Sequence, residues 1–325
     1  MPDASQNLAD PMHAAMARVD EVIRARLTSD VALIEQIGHY IVSAGGKRIR
    51  PRLVLLTAQA LNFDGPEQYE LAATVEFIHT ATLLHDDVVD ESLLRRGRQT
   101  ANALFGNAAS VLVGDFLYSR AFQMMVGVNR MRVLDVLADA TNVIAEGEVL
   151  QLMNVHDADV TIANYLRVIR FKTAKLFEAS ARLGAVLAGA PPAVETACAD
   201  YGRALGTAFQ LVDDALDYTG QAANLGKNAG DDLREGKPTL PLLLAMTHGS
   251  AEEAATIRRA IEQGDSEHLA EIIAIVQATG AIAATLEAAR AEAEVARQAL
   301  LHALPPTQAR EALLELAVSS VARTY

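Results

Sequence analysis

The chain has 325 residues, 51% of them apolar, 21% charged and 5% aromatic. That is enough apolar material for a large core and too much for a disordered protein. The formal net charge of −13 opposes general attraction to nucleic acid or anionic lipid, so any phosphate site has to be a local cluster of cations.

The first residues, Met1 to Asp10, are polar and acidic, without the basic start and apolar run of a signal or transit peptide. They read as part of a flexible tail over residues 1–11. Cys198 is the only cysteine; it can form no internal disulfide and no zinc pattern, which suits a cytoplasmic setting. A length prior of about 150 residues per domain suggests two domains. No linker rich in Pro, Gly or Ser separates them, however, so residues 12–325 read as one large domain.

In chain order, Met12, Met16, Val19, Ile23 and Leu27, then Val31, Ile34, Ile37 and Ile41, recur at helical spacing. Turn residues follow at Gly45-Gly46, Asp64-Gly65-Pro66, Gly97, Gly106-Asn107, Val128-Asn129, His156-Asp157, Gly189 to Pro192, Gly220 to Gly230, Gly236 to Pro238 and Pro305-Pro306. They bound about a dozen helices. Two long ones, 66–91 and 192–218, are apolar around much of their circumference, as helices inside a bundle are. Period-2 runs and Asn-Gly or Asp-Gly hairpin turns are absent, so strands have almost no support. The run Ile272 to Leu286 falls short of the roughly 18 apolar residues of a membrane span and is interrupted by Gly280. The predicted fold class is an all-α helical bundle.

Within the first long helix, Asp86, Asp87 and Asp90 form D-D-x-x-D, and Asp213, Asp214 and Asp217 repeat the pattern in the second. Positions four apart share one helix face. Two unpartnered carboxylates about 6 Å apart repel by roughly 3 kcal/mol at an effective dielectric near 20. One such pair is ordinarily a solvated acidic face, but two copies in apolar helices point to hard-cation binding. Mg²⁺ takes one or two protein carboxylates and leaves its other positions to water and phosphate. Cations for the phosphate are at hand in Gly45-Gly46-Lys47-Arg48-Ile49-Arg50-Pro51 and in Arg95, Arg96 and Arg98.

GGKRIRP, DDVVD followed by RRGR, and DDALD together resemble the trans-type polyprenyl diphosphate synthases, from about residue 12 to the C-terminus. The run Phe77 to Asp86, with Gly106 to Ser110 and Gly114-Asp115, is similar to the bacterial octaprenyl group of that family. The resemblance implies an isoprenoid-synthase bundle around a central active-site cavity, two or three Mg²⁺ ions per site, isopentenyl and allylic prenyl diphosphates as substrates, and a homodimer. Asp86, Asp90 and Asp213 would bind Mg²⁺, supported directly or through water by Asp87, Asp214 and Asp217. Lys47, Arg50, His79 and Arg96 would hold isopentenyl diphosphate. Arg95, Lys172, Lys227 and Lys237 would grip the allylic diphosphate, with Thr173 and Gln210 beside them; Gln210 lies three before Asp213 and shares its face.

Chain length in the family is read at the residue five before the first Asp, about 7.5 Å down the helix. Here it is Ala81, with Thr82 beside it. An open position favours a long product near C40, suited to a quinone side chain, with C15–C25 and C45–C50 as the alternatives. Each added isoprene unit is worth on the order of 4 kcal/mol of apolar burial, so product release could limit turnover and involve transient membrane contact. Rival readings explain less. Glu76 and His79 form an E-x-x-H without the second copy a di-iron bundle needs. An HD phosphohydrolase leaves DDALD unexplained, a terpene cyclase wants more aromatics, and a regulatory prenyl-synthase subunit or helical scaffold would not keep both Asp motifs.

Overall fold

The computed structural model describes residues 6–43, 45–219, 230–264 and 268–322, with side chains from residue 11 onward. The elements run α1 (Gln6–Leu27), α2 (Ala32–Ser43), α3 (Ile49–Ala60), α4 (Glu67–Val89), β1 (Leu94–Arg95), β2 (Arg98–Gln99), α5 (Ala101–Phe105), α6 (Asn107–Gly127), α7 (Met131–Asn154) and α8 (Ile162–Ile169). A π turn (Arg170–Ala174) follows, then α9 (Lys175–Leu187), α10 (Pro192–Asp217), α11 (Asp231–Arg234), α12 (Leu240–His248), α13 (Ala251–Gln263), α14 (Leu269–Ala278), α15 (Ala281–Leu301) and α16 (Gln308–Val321). The all-α expectation holds, and the two long helices lie within a residue or two of their predicted ends. α1 starts at Gln6, ahead of the tail boundary drawn at Met12, and carries Pro11 inside it.

Strands were not expected, yet β1 and β2 form a short antiparallel hairpin, Leu94 opposite Gln99 and Arg95 opposite Arg98. Its two-residue turn places Arg96 at φ 53° and Gly97 at φ 72°, positive at both central positions as a type I′ turn requires. The glycine at the second turn position was the available signal.

The described residues group into two compact units, one drawn from Met1–Thr141, Leu176–Gly202 and Ala299–Glu315, the other from Asn142–Lys175, Arg203–Gln298 and Leu316–Tyr325. In the first, α4 lies against α1, α3 and α6. Leu71, Val75, Phe77, Ile78, Ala81 and Leu84 are all buried, which explains why apolar residues surround that helix. Each fully buried Leu or Ile stabilises by about 1.5–3 kcal/mol. α9 meets α3 backbone to backbone: a β-carbon on Gly184 would lie 2.6 Å from the Ala58 nitrogen. Cys198 is buried in α10, and burial pushes its thiol up to about 12.

The second unit has two apolar clusters. One joins Tyr218, Leu233, Leu242, Ile257, Ile272 and Val276. The other joins Tyr165, Ile169, Leu211, Val212, Leu216 and Leu243. Ser250 and Glu253 close a capping box at the start of α13. Gly280, at φ 70°, separates α14 from α15, which are bent by 64°. Among the described residues no single helix is long and apolar enough to cross a membrane.

Candidate active site

In the first unit the DDVVD segment ends α4. Ser92 N donates to Asp87 O at 3.0 Å and Glu91 N to Val88 O at 3.4 Å. Glu91 stands at φ 51°, so this is a Schellman cap with glutamate where glycine is usual. Three carboxylates therefore gather at the negative end of the helix dipole, where anions are disfavoured and a cation is favoured. They are not equivalent. Asp86 and Asp90 are partly exposed, whereas Asp87 is fully buried and accepts Arg95 Nε at 2.7 Å. Burial raises the Asp87 carboxyl above the usual carboxylate range, and Arg95 opposes that rise.

The cations converge nearby. Arg48, Arg50, Arg95 and Arg96 all act on His79, whose imidazole burial and then these charges hold neutral, well below the usual histidine value. Arg50 stacks 4.4 Å above the Phe177 ring, and burial pushes its guanidinium down to about 10. Its Nε is buried without a hydrogen-bond partner, a donor left for an anion. Arg48 begins α3 at φ 49° and pairs with Glu76 at 3.0 Å; that takes the glutamate of the E-x-x-H pattern away from a metal role. The Arg96 guanidinium would lie 2.8 Å from a β-carbon on Gly46, and it is the backbone there, at φ 148°, that favours glycine. Lys47 is exposed beside it.

In the second unit the DDALD segment also ends its helix, α10. Asp213 is partly exposed, while Asp214 and Asp217 are buried. Asp217 accepts the backbone N–H groups of Gly230 at 3.1 Å and Asp232 at 3.2 Å. Asp214 accepts the Tyr165 hydroxyl in a short contact and Gln210 Nε2 at 2.7 Å. Burial first, then Asp232, pushes its carboxyl up to about 8. Thr173 Oγ1 donates to Gln210 Oε1 at 3.0 Å. Lys172 and Thr173 lie on the π turn, and a β-carbon on Gly147 would lie 2.5 Å from the Lys172 nitrogen. Such turns are frequent at functional sites.

Residues 31–278 match the family described as Polyprenyl synthetase. The chain is 58% identical to the octaprenyl diphosphate synthase of Escherichia coli over 95% of both chains, and 55% identical to that of Haemophilus influenzae over 99% of this chain and 97% of the other. A polyprenyl synthase from Caulobacter crescentus, solved with calcium and isoprenyl diphosphate, matches with a TM-score of 0.94 at 49% identity, covering 98% of this chain and 97% of that one. The chain belongs to the polyprenyl synthetase family. It is a prenyltransferase with the helical isoprenoid-synthase fold.

The remaining expected residues of this polyprenyl synthetase are placed as follows. Lys172 Nζ pairs with Glu148 at 2.6 Å and Lys237 Nζ with Glu235 at 2.5 Å. Lys227 lies outside the described residues. Ala81 is fully buried, and Thr82, partly exposed, donates to His79 O at 2.9 Å. Among the described residues no three carboxylate, histidine or cysteine side chains form a preset metal cage. Mg²⁺ held by one or two carboxylates together with substrate phosphate needs none. Sequence reasoning counted Arg48 among the cations of GGKRIRP, left Asp231-Asp232 unassigned, and missed Glu148 and Tyr165 as site neighbours. The last two depend on chain crossings that no local pattern records.

Proposed function

We propose that this chain condenses isopentenyl diphosphate with an allylic primer, farnesyl diphosphate, and extends it in trans to about C40, a precursor for quinone side chains. The carrying observation is that Arg48, Arg50, Arg95 and Arg96 converge on His79 of the same helix, α4, that ends in Asp86, Asp87 and Asp90. The family's activity needs both features, and similarity to two octaprenyl diphosphate synthases supports the length.

In this reading Asp86, Asp90 and Asp213 hold two or three Mg²⁺ ions, while Asp87, Asp214 and Asp217 brace their neighbours. Mg²⁺, when bound, offsets charge on the departing diphosphate as a Lewis acid. Lys47, Arg50, His79 and Arg96 bind isopentenyl diphosphate; His79, being neutral, gives one N–H and adds no positive charge. Arg95, Lys172, Thr173, Gln210, Lys227 and Lys237 serve the allylic diphosphate, and fixed cations stabilise the charge it acquires. The allylic C–O bond ionises, the isopentenyl double bond attacks the carbocation, and a proton passes to the released diphosphate. No protein nucleophile is needed. Ala81 leaves room for the growing chain.

The active form is a homodimer, supported by apolar Val111, Leu112, Phe122 and Val126 left exposed on α6. The setting is cytoplasmic, with transient membrane contact during product release.

The test is incubation of purified protein with radiolabelled isopentenyl diphosphate and farnesyl diphosphate, with Mg²⁺ or EDTA, followed by chain-length analysis. A Mg²⁺-dependent ladder ending near C40 is expected. Products stopping at C15–C20 would overturn the length, and no incorporation would overturn the reaction. Asp86→Ala should lower turnover by orders of magnitude with an unchanged far-UV spectrum; near-normal rates would remove Asp86 from the metal site.

A further inference from the structure

The Tyr165 hydroxyl is the polar end of a side chain otherwise enclosed by Val160, Ile169, Leu211, Val212 and Leu216. It donates to Asp214 Oδ2, and Gln210 Nε2 donates to the other oxygen at 2.7 Å. Gln210 then has its carbonyl free for Thr173 Oγ1, which donates at 3.0 Å. In this orientation the Gln210 amide serves both neighbours, its N–H meeting an Asp214 oxygen and its carbonyl accepting the threonine proton. Tyr165 and Thr173, eight residues apart and separated by the start of the π turn, thus grip an i,i+4 pair on α10 from two ends. Burial and then Asp214 hold the phenol well above its usual value, so it stays a donor at any working pH.

We infer that Tyr165 is a positioning residue for this reaction: its hydroxyl, through Asp214 and Gln210, sets the last turn of α10 and the Lys172-Thr173 turn. Successive residues on a helix point about 100° apart. Anchoring Asp214 inward therefore sets the direction of Asp213, and anchoring Gln210 sets Thr173. The inference rests on the proposed reading of Asp213 as a Mg²⁺ ligand and of Lys172 and Thr173 as allylic diphosphate contacts.

Tyr165→Phe removes one oxygen and keeps the ring in its apolar cluster, so the fold should survive; far-UV spectrum and melting temperature check this. Expected are rises of about tenfold in half-saturating Mg²⁺ and in the KM for farnesyl diphosphate, the size of one lost buried hydrogen bond. The KM for isopentenyl diphosphate stays within twofold, because its proposed ligands lie in the first unit. Asp214→Asn should produce the same pattern, and adding Tyr165→Phe to it should change those constants by less than twofold, because the two residues act as one device. A merely structural role would lower the melting temperature and active fraction and leave both constants in place. Unchanged constants in Tyr165→Phe, equal shifts for both substrates, or effects that multiply in the double variant would each overturn the inference. A parent chain that incorporates no label would overturn the functional reading itself, and is thereby told apart from failure of the clamp.

Discussion

Arg95 closes on a single oxygen of Asp87 with two nitrogens, Nε at 2.7 Å and Nη2 at 2.6 Å. The Asp87 side chain has no exposure and that of Arg95 has 22%, so the pair fastens the β1–β2 hairpin to the end of α4 largely out of water. Asn102 reinforces the junction by donating to Asp87 O at 3.1 Å. Removing one partner of a buried pair strands the other, at a cost of about 3–5 kcal/mol. Asp87→Ala should therefore lower the urea unfolding free energy by about that much, where an exposed pair would cost under 1 kcal/mol. A loss below 1 kcal/mol would show that Asp87 does not carry the hairpin.

His79 makes the folded chain sensitive to acid. Its imidazole is held well below 6.5 by burial and by Arg50, Arg96, Arg95 and Arg48, while an unfolded chain protonates it near 6.5. Protons then favour the unfolded state, so stability from this group is complete above pH 6.5 and falls as the pH drops below it. The slope reaches about 1.4 kcal/mol per pH unit. Urea midpoints from pH 7.5 to 5.5 should show this loss in the parent and a shallower one in His79→Gln; parallel profiles would assign the acid sensitivity elsewhere.

Ala81 has no exposed surface, and Thr82 is partly exposed. Ala81→Tyr should shorten the product, read by chain-length analysis of extracted prenyl alcohols. A tyrosine in closed packing also strains the core by about 1–3 kcal/mol, so the melting temperature has to be read alongside. Thr82→Phe supplies a second variant with less strain. An unchanged product distribution in both would refute a chain-length gate on this turn of α4.

Much of this protein is local in origin and legible in its sequence. The helices at 66–91 and 192–218 follow from apolar spacing, and their ends follow from turn residues that cannot continue a helix. The Asp motifs, GGKRIRP and RRGR place carboxylates and cations at fixed spacings, which is a property of the chain alone. The hairpin at Arg96-Gly97 escaped because two residues per strand make no periodic pattern.

Which carboxylate does what is a different kind of fact. The six aspartates look alike in the sequence, yet Asp87 turns to Arg95, Asp214 to Tyr165 and Gln210, and Asp217 to the backbone of Gly230 and Asp232, while Asp86, Asp90 and Asp213 keep partial exposure. Tyr165 stands 49 residues from Asp214, and no spacing rule spans that distance. Helix, charge inventory and family motifs are legible along the chain, because these depend on neighbours within a few turns. The tertiary structure alone decided burial and partner, because desolvation and hydrogen bonding depend on which distant segments close over each side chain.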